Sequence, residues 1–314
     1  MKPASFAYHR PDSVEAAVGL LAELGEDAKI LAGGQSLVPM LAMRLAYFDH
    51  LIDISRLSEL QGIDRRGREL WIGAGTTEAR VGADAQVRQA VPLLTRVTPF
   101  VGHFQIRNRG TLGGSIAHSD AAGEYPAVAL TLDAVMEVLS PRGRREIAAA
   151  DFFAGLWETT MESDEVLTGV RFPSWNGRSG FSVHEFSRRH GDFAIAGALV
   201  AVQLDDSDRV SRCAIGLLGL GSTPRRATPA ETAVIGFDLA NVAVSSGSAC
   251  SSGKVQPSHV LEAMGYGSEL AKGAVRLSLG WSTSEADVDL ALKAWRKLAG
   301  TLLKESDETR LERF

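Results

Sequence analysis

The sequence predicts a mixed fold, α/β or α+β, spread over two or three domains. Three observations carry this. Short apolar strand-like runs alternate with helical periodicity over roughly the first 130 residues. From Ser182 to Leu220 the pattern changes to longer β-like runs. Beyond Gly236 the chain changes character again and ends in one strongly periodic helix. At 314 residues it can bury a sizeable core, and a domain of roughly 100–200 residues is the usual size.

Asp12 is placed to cap a first helix with Glu15 returning the bond, and Val14, Val18 and Leu21 repeat at helical spacing before Gly25 stops it. Lys29-Ile30-Leu31 reads as a buried strand. Ala32-Gly33-Gly34-Gln35-Ser36 breaks it, and Leu37 to Leu45 reads as a helix, giving strand, glycine loop, helix. Strands follow at Leu51–Ile54 and Leu70–Gly73, and a second glycine loop, Arg109 to Ser115, precedes the apolar run Tyr125–Leu132. A second domain begins near Gly180, with strands at Ala198–Leu204 and Cys213–Leu218 around a turn at Asp205-Asp206-Ser207-Asp208. A Ser- and Gly-rich stretch, Ser245–Gly253, leads to the last helix. Ser282 and Glu285 would make its capping box, and Val288, Leu292, Trp295, Leu298 and Leu302 its stripe.

Composition excludes several classes. A net charge of −5 argues against a nucleic-acid surface, which needs clustered Lys and Arg. Met1–Ser13 lacks the apolar core of a signal peptide, and no run of about 18 uncharged apolar residues offers a membrane span, so a cytoplasmic protein is expected. Cys213 and Cys250 are too few for a disulfide framework, a four-cysteine zinc site or an iron–sulfur cluster. Any such cluster belongs to a partner.

A glycine loop between strand and helix lets backbone N–H groups face an anion with no Cβ in the way. Two such loops, with hydroxyls at Ser36 and at Thr111 and Ser115, can grip one pyrophosphate from two sides, although each can equally be a plain turn. There is no P-loop, and Gly73-Ala74-Gly75 and Gly219-Leu220-Gly221 lack the third glycine of a Rossmann fingerprint, which argues against NAD on such a domain. His118, Asp120 and Glu124 do not have the spacing of a recognised zinc site. Arg107 and Arg109 face phosphate, a partner carboxylate or solvent.

Leu31-Ala-Gly-Gly-Gln-Ser-Leu-Val-Pro39, Ile106-Arg-Asn-Arg-Gly-Thr-Leu-Gly-Gly-Ser-Ile-Ala-His-Ser-Asp120 with Glu124-Tyr-Pro-Ala127, and Glu165-Val-Leu-Thr-Gly-Val-Arg-Phe-Pro173 resemble the FAD-binding medium subunit of the carbon monoxide dehydrogenase and xanthine dehydrogenase family. The similarity continues through Phe186-Ser-Arg-Arg-His-Gly-Asp-Phe-Ala194 and Gly219-Leu-Gly-Ser-Thr-Pro-Arg225, covering residues 1–233. The resemblance implies an α+β fold, with a FAD-binding (PCMH-type) domain of two subdomains over residues 1–175 and a partial, β-rich flavoprotein C-terminal domain over 178–235. It implies FAD held by Ala32, Gly33, Gly34, Gln35 and Ser36 and by Thr111, Gly113, Gly114 and Ser115. Asp120 would contact the flavin or its ribityl chain, and Asp192 and Phe193 would reach the isoalloxazine ring. There Phe193 would shield one face, unless it is an ordinary core residue. It further implies an iron–sulfur small subunit carrying two-iron clusters, a large subunit carrying the molybdenum cofactor (molybdopterin), and an external electron acceptor: NAD, a quinone or oxygen.

Leu239-Ala-Asn-Val-Ala-Val-Ser-Ser-Gly-Ser-Ala-Cys-Ser-Ser-Gly253, Pro257-Ser-His-Val-Leu-Glu-Ala-Met-Gly265 and Ala274-Val-Arg-Leu-Ser-Leu-Gly280 instead resemble the end of a cysteine desulfurase, so residues 236–314 form a desulfurase-like segment. Cys250 matches that family's sulfur-accepting nucleophile, without the lysine and cofactor domain a pyridoxal phosphate reaction needs. Three expectations follow: a FAD electron-transfer subunit, a sulfur carrier acting through Cys250, or a fused remnant that does neither.

Overall fold

Strand β1 (Ala7–His9) leads to helix α1 (Val14–Leu24), which buries Val14, Ala17, Val18 and Leu21. The computed structural model describes residues 2–242, 245–246, 264, 275–276, 280 and 283–311. The cap of α1 is Ser13 rather than Asp12: its hydroxyl accepts the Ala16 N–H at 3.1 Å, because Val14 is already helical and the cap is the residue before it. Gly25, with φ of 61°, ends the helix.

β2 (Ala28–Leu31) and β3 (His50–Asp53) pair in parallel with Leu31 opposite Asp53, and β1 lies parallel along the other edge of β3. A parallel pair needs a crossover, and the glycine loop plus α2 (Leu37–Ala42) supplies it. That helix stops short of Leu45 because Arg44 takes a left-handed φ of 58°, which a right-handed helix cannot continue.

The next layer begins with β4 (Ile63–Arg66) and β5 (Glu69–Gly73). It continues through α3 (Glu78–Ala83), α4 (Ala85–Ala90), α5 (Pro92–Val97), α6 (Phe104–Arg107), α7 (Leu112–His118) and α8 (Glu124–Thr131). After these come β6 (Val135–Ser140), β7 (Gly143–Ala148), α9 (Ala149–Phe152), β8 (Phe153–Gly155), β9 (Glu158–Thr159) and β10 (Val166–Pro173). The five long strands form an antiparallel sheet in the order β4-β5-β10-β6-β7.

Alternation along these strands explains the layering. Leu70, Ile72, Met136, Val138, Val170 and Phe172 face the core with Leu93, Leu112, Ile116 and Tyr125 from the helices. Arg171, one residue out of phase with that core face, pairs with Glu137 at 3.2 Å and with Glu69 at 3.3 Å. Trp71 donates its indole N–H to Glu137 at 2.9 Å. The α1 core includes Leu139 and Val166, so the small parallel sheet is locked onto the larger one.

A four-stranded sheet follows in the order β11 (Ser179–Phe186), β12 (Ala196–Leu204), β13 (Val210–Leu218), β14 (Arg225–Arg226). β11 and β12 pair antiparallel, Ser179 opposite Gln203. Then come α10 (Thr228–Leu239), β15 (Ser245–Ser246), β16 (Val275–Arg276) and α11 (Glu285–Leu311).

The chain divides into a unit of residues 1–204 with 214–228 and a unit of residues 205–213 with 229–314. Within the second unit Phe237, Ala294 and Leu298 are buried together, and Phe237 stacks on Trp295 at 6.2 Å. The expected stripe is buried at Leu298 but half-exposed at Leu292 and Trp295. Ser282 lies outside the described residues. The box that starts α11 is Ser284 with Asp287, whose carboxylate accepts the Ser284 N–H at 2.8 Å. Among the described residues no helix is long and apolar enough to cross a membrane.

Phe172, fully buried in the large sheet, offers a test of this core. Phe172→Ala is expected to cost about 3–5 kcal/mol in urea unfolding, and a loss under about 1 kcal/mol would show that the helices do not pack on that face.

Candidate cofactor site

The Ala32–Ser36 loop leaves β2 at the carboxyl ends of the parallel strands, where open α/β sheets place their ligand crevice. Gly34 needs its left-handed φ of 73°, and Gly33 is constrained by contact. A Cβ on Gly33 would lie 2.1 Å from the Arg109 carbonyl oxygen and 2.7 Å from the Gly110 Cα. On Gly114 it would meet the Thr111 hydroxyl at 2.8 Å and the Ala32 Cβ at 3.6 Å. The two glycine loops therefore meet backbone to backbone.

Their N–H groups are used differently. Those of Gly33, Gly34, Gln35 and Ser36 have no protein acceptor among the described residues, and the Ser36 hydroxyl caps nothing. Gln35 folds its amide back onto the Gly33 carbonyl at 3.0 Å. In the second loop the Leu112 N–H donates to Thr76, Gly113 to Ala74, Gly114 to the Thr111 hydroxyl and Ser115 to the Thr111 carbonyl. The expectation that this loop also turns its N–H groups toward an anion is not met. The reason is close packing: a Cβ on Gly113 would lie 2.4 Å from that of Ala74, so the loop is zipped to residues 74–77. Thr111 and Gly113 are buried, while Gly114 and Ser115 stay half-buried.

A cleft of about 340 Å³ opens over the first loop, lined among others by Gly33, Gly34, Val38, Asp53 and Arg109. Arg109, whose backbone carbonyl lies against Gly33, is the cationic residue of that lining. Arg107 points elsewhere, donating to the Val101 and Gly102 carbonyls at 2.9 Å each and lining a second cleft of about 400 Å³ with His103, Phe104 and His190. The loop between β11 and β12 closes onto that cleft, since Gly191, at φ 88°, packs against the Gly102 carbonyl and the His103 ring. It carries Asp192, whose N–H donates to the Arg189 carbonyl, and Phe193, which is 71% exposed and is therefore no core residue.

Asp120 follows Ser119, a buried residue at φ 56° whose hydroxyl bonds the Glu158 carbonyl at 3.0 Å. The Asp120 carboxylate accepts the Ala122 N–H at 2.9 Å and the Trp157 indole N–H at 3.3 Å, and Trp157 stacks on His118. Burial pushes the His118 imidazole below its ordinary value. Among the described residues no three His, Cys, Asp or Glu side chains gather to hold a metal. Cys250 lies outside the described residues.

Sequence reasoning missed two carboxylates. Asp53 reaches the first cleft from the end of β3, a place that the strand–loop–helix–strand pattern itself marks. Glu78 lies under the second loop, its N–H donating to the Gly110 carbonyl at 2.9 Å and its Oε2 without a partner. Burial first, then Glu124, push Glu78 up to about 8 against the pull of Arg107, and burial first, then Glu185 and Asp120, push Glu124 up to about 8. Nothing in the local sequence distinguishes Glu78 from a surface glutamate.

A small parallel sheet with an anion-ready loop, docked on an antiparallel sheet whose helices supply the second loop, defines a crevice suited to an anionic nucleotide cofactor. Comparison agrees: the FAD binding domain in molybdopterin dehydrogenase matches residues 4–175, and the CO dehydrogenase flavoprotein C-terminal domain matches residues 181–279. The chain belongs to this family of molybdenum hydroxylase flavoprotein (medium) subunits.

It is 43% identical over 241 residues to the 6-hydroxypseudooxynicotine dehydrogenase complex subunit alpha of Paenarthrobacter nicotinovorans, covering 77% of this chain and 81% of that one. It is 38% identical over 244 residues to the carbon monoxide dehydrogenase medium chain of Hydrogenophaga pseudoflava, covering 78% and 85%. The crystal structure of quinoline 2-oxidoreductase from Pseudomonas putida 86 superposes with a TM-score of 0.71 at 33% identity, covering 97% of this chain and 98% of that one. The flavoprotein C-terminal match runs through residue 279, so the flavoprotein similarity does not stop at residue 233, and it takes in much of the stretch that the sequence motifs assign to a desulfurase-like segment.

The two raised carboxyls set a pH dependence. From the ordinary glutamate value of 4.5 up to about 8, the folded chain keeps protons that the unfolded chain releases, so stability falls as pH rises through that window. The thermal midpoint is expected to fall between about pH 5 and pH 8, and to fall less in Glu78→Gln, which keeps the neutral shape. Equal slopes would mean that Glu78 is ionised in the folded protein.

Proposed function

We propose that this chain holds FAD with its diphosphate over the Ala32–Ser36 loop and serves as the electron-transfer subunit of a cytoplasmic molybdenum hydroxylase. The observation that carries this is the run of unpartnered N–H groups from Gly33 to Ser36, beside a cleft whose lining includes Gly33, Gly34, Gln35 and Arg109. Phosphate oxygens need such donors and a nearby cation, and the missing side chain at Gly33 leaves the room. The residues present therefore fit the group.

In this reading Gly114 and Ser115 border the diphosphate while Thr111 and Gly113 hold their loop in place. Asp120, steadied by Trp157 and Ala122, faces the flavin end, and the loop bearing Asp192 and Phe193 covers the ring, with exposed Phe193 free to lie on it. Bound FAD supplies the redox chemistry, and the chain's own task is to bind it, set its surroundings and exclude water. Iron–sulfur clusters on a small subunit deliver the electrons, a molybdopterin-bearing large subunit holds the substrate, and NAD, a quinone or oxygen takes the electrons away.

The purified chain is expected to be yellow, with bands near about 370 and 450 nm and FAD released on denaturation. Gly33→Val should abolish the flavin by driving into the Arg109 carbonyl, Gly114→Val should crowd the Thr111 hydroxyl, and Arg109→Ala should weaken binding without unfolding the chain. A colourless, folded wild type that cannot be reconstituted with FAD would overturn the reading.

A second reading concerns Cys250 alone and rests on the Ser-Gly-Ser-Ala-Cys-Ser-Ser-Gly motif. The thiolate would accept sulfur as a persulfide from a separate cysteine desulfurase, for delivery toward the molybdenum site of the complex. Incubation with a desulfurase and cysteine should add one sulfur atom by mass in wild type and none in Cys250→Ser. An unmodified wild type removes this role.

A further inference from the structure

The cleft over the first loop is not uniformly suited to an anion. Its wall includes Asp53, at the carboxyl end of the central strand β3 and directly opposite Leu31, from which the loop departs. One carboxylate oxygen accepts the Ser55 N–H at 2.8 Å and the other accepts the Tyr8 hydroxyl. Burial pushes the Asp53 carboxyl up, but the bonds from Tyr8 and Ser55 outweigh it and hold the group below its ordinary value. It is therefore an ionised group that only accepts, and each oxygen keeps a lone pair beyond the one its protein donor uses.

A carboxylate fixed in this way repels phosphate, so the diphosphate belongs toward the Gly33–Ser36 donors and Arg109, away from Asp53. What Asp53 can hold is a ligand donor. A molecule that satisfies both ends carries an anion and, a few bonds along, paired hydroxyls. A nucleotide's diphosphate and ribose have this order. Parallel α/β sheets use an acidic side chain at the end of the next strand for the same physical reason: the strand ends fix its distance from the phosphate loop.

We propose that Asp53, positioned by Tyr8 and Ser55, accepts hydrogen bonds from the ribose hydroxyls of the adenylate half of the cofactor and so selects a dinucleotide flavin over FMN. The assignment rests on the FAD reading above and adds a specificity residue to it. Tyr8→Phe should weaken the same contact, since it frees the carboxylate to turn away, whereas nothing in the assignment involves the flavin half.

The deflavinated full-length chain is titrated calorimetrically with FAD, FMN, ADP and 2′,3′-dideoxy-ADP, in wild type, Asp53→Asn and Asp53→Ala, with thermal melts as the folding control. Wild type should bind ADP about tenfold or more tighter than the dideoxy compound, the range of a hydrogen bond to a charged group. Asp53→Ala should bring the two together, weaken FAD by a similar factor and leave FMN unchanged. The wild-type comparison alters only the ligand, so it stands even if a variant fails to fold. Equal binding of ADP and its dideoxy form by wild type, ADP too weak to compete with FAD, or a ratio that survives Asp53→Ala overturns the assignment. If wild type binds FAD in those cases, only Asp53 has failed. A wild type that binds no FAD overturns the FAD reading as well.

Discussion

Two stretches of backbone about 80 residues apart touch where neither has a side chain, and the site depends on that contact. Gly33 lies on the Arg109–Gly110 peptide so closely that a methyl group would overlap a carbonyl oxygen. The contact brings the end of a parallel sheet up to the loop before α7, and it sets Arg109 in the lining of the cleft over the first loop. Behind it the second loop is zipped to residues 74–77 by main-chain bonds, so it acts as a rigid wall whose own donors are spent. The division of labour is between one loop that offers hydrogen bonds and one that holds its partner in place.

Charge is arranged around this contact in layers. Lining the cleft are Gly33, Gly34 and Gln35, whose N–H groups have no protein acceptor among the described residues, with the cationic Arg109 and the acidic Asp53. Behind the second loop lie Glu78 and Glu124, buried deeply enough that both keep their protons near neutral pH. Neutral carboxyls can be buried there at far lower cost than ionised ones, which would lie uncompensated in the core. The larger sheet follows another rule, because Arg171, Glu137 and Glu69 pair close to its surface, where solvent limits both the cost and the gain.

Much of this was legible from the residues alone. Periodicity places the α1 stripe, and the glycine strings mark both loops. Their order along the chain, with the motifs at Glu165–Pro173 and Phe186–Ala194, points to the flavoprotein family that comparison then bears out. Local rules failed where two candidates compete within a turn, as with Asp12 against Ser13, since sequence alone does not say which residue first takes helical angles. They failed again at Arg44, whose left-handed angle ends α2 early without any glycine to announce it.

The sequence by itself determined the fold class, the positions of the two glycine loops and the family, because these are written in local periodicity and in short strings that only glycine satisfies. The tertiary structure alone decided which loop has free donors, that Arg109 rather than Arg107 lines the cleft over it, that Phe193 is exposed, that Asp53 lines the same cleft and that Glu78 is buried under the second loop. Each of these depends on which backbone groups are already taken and which side chains are denied water. Such facts come from partners distant in the chain, and no window of sequence contains them.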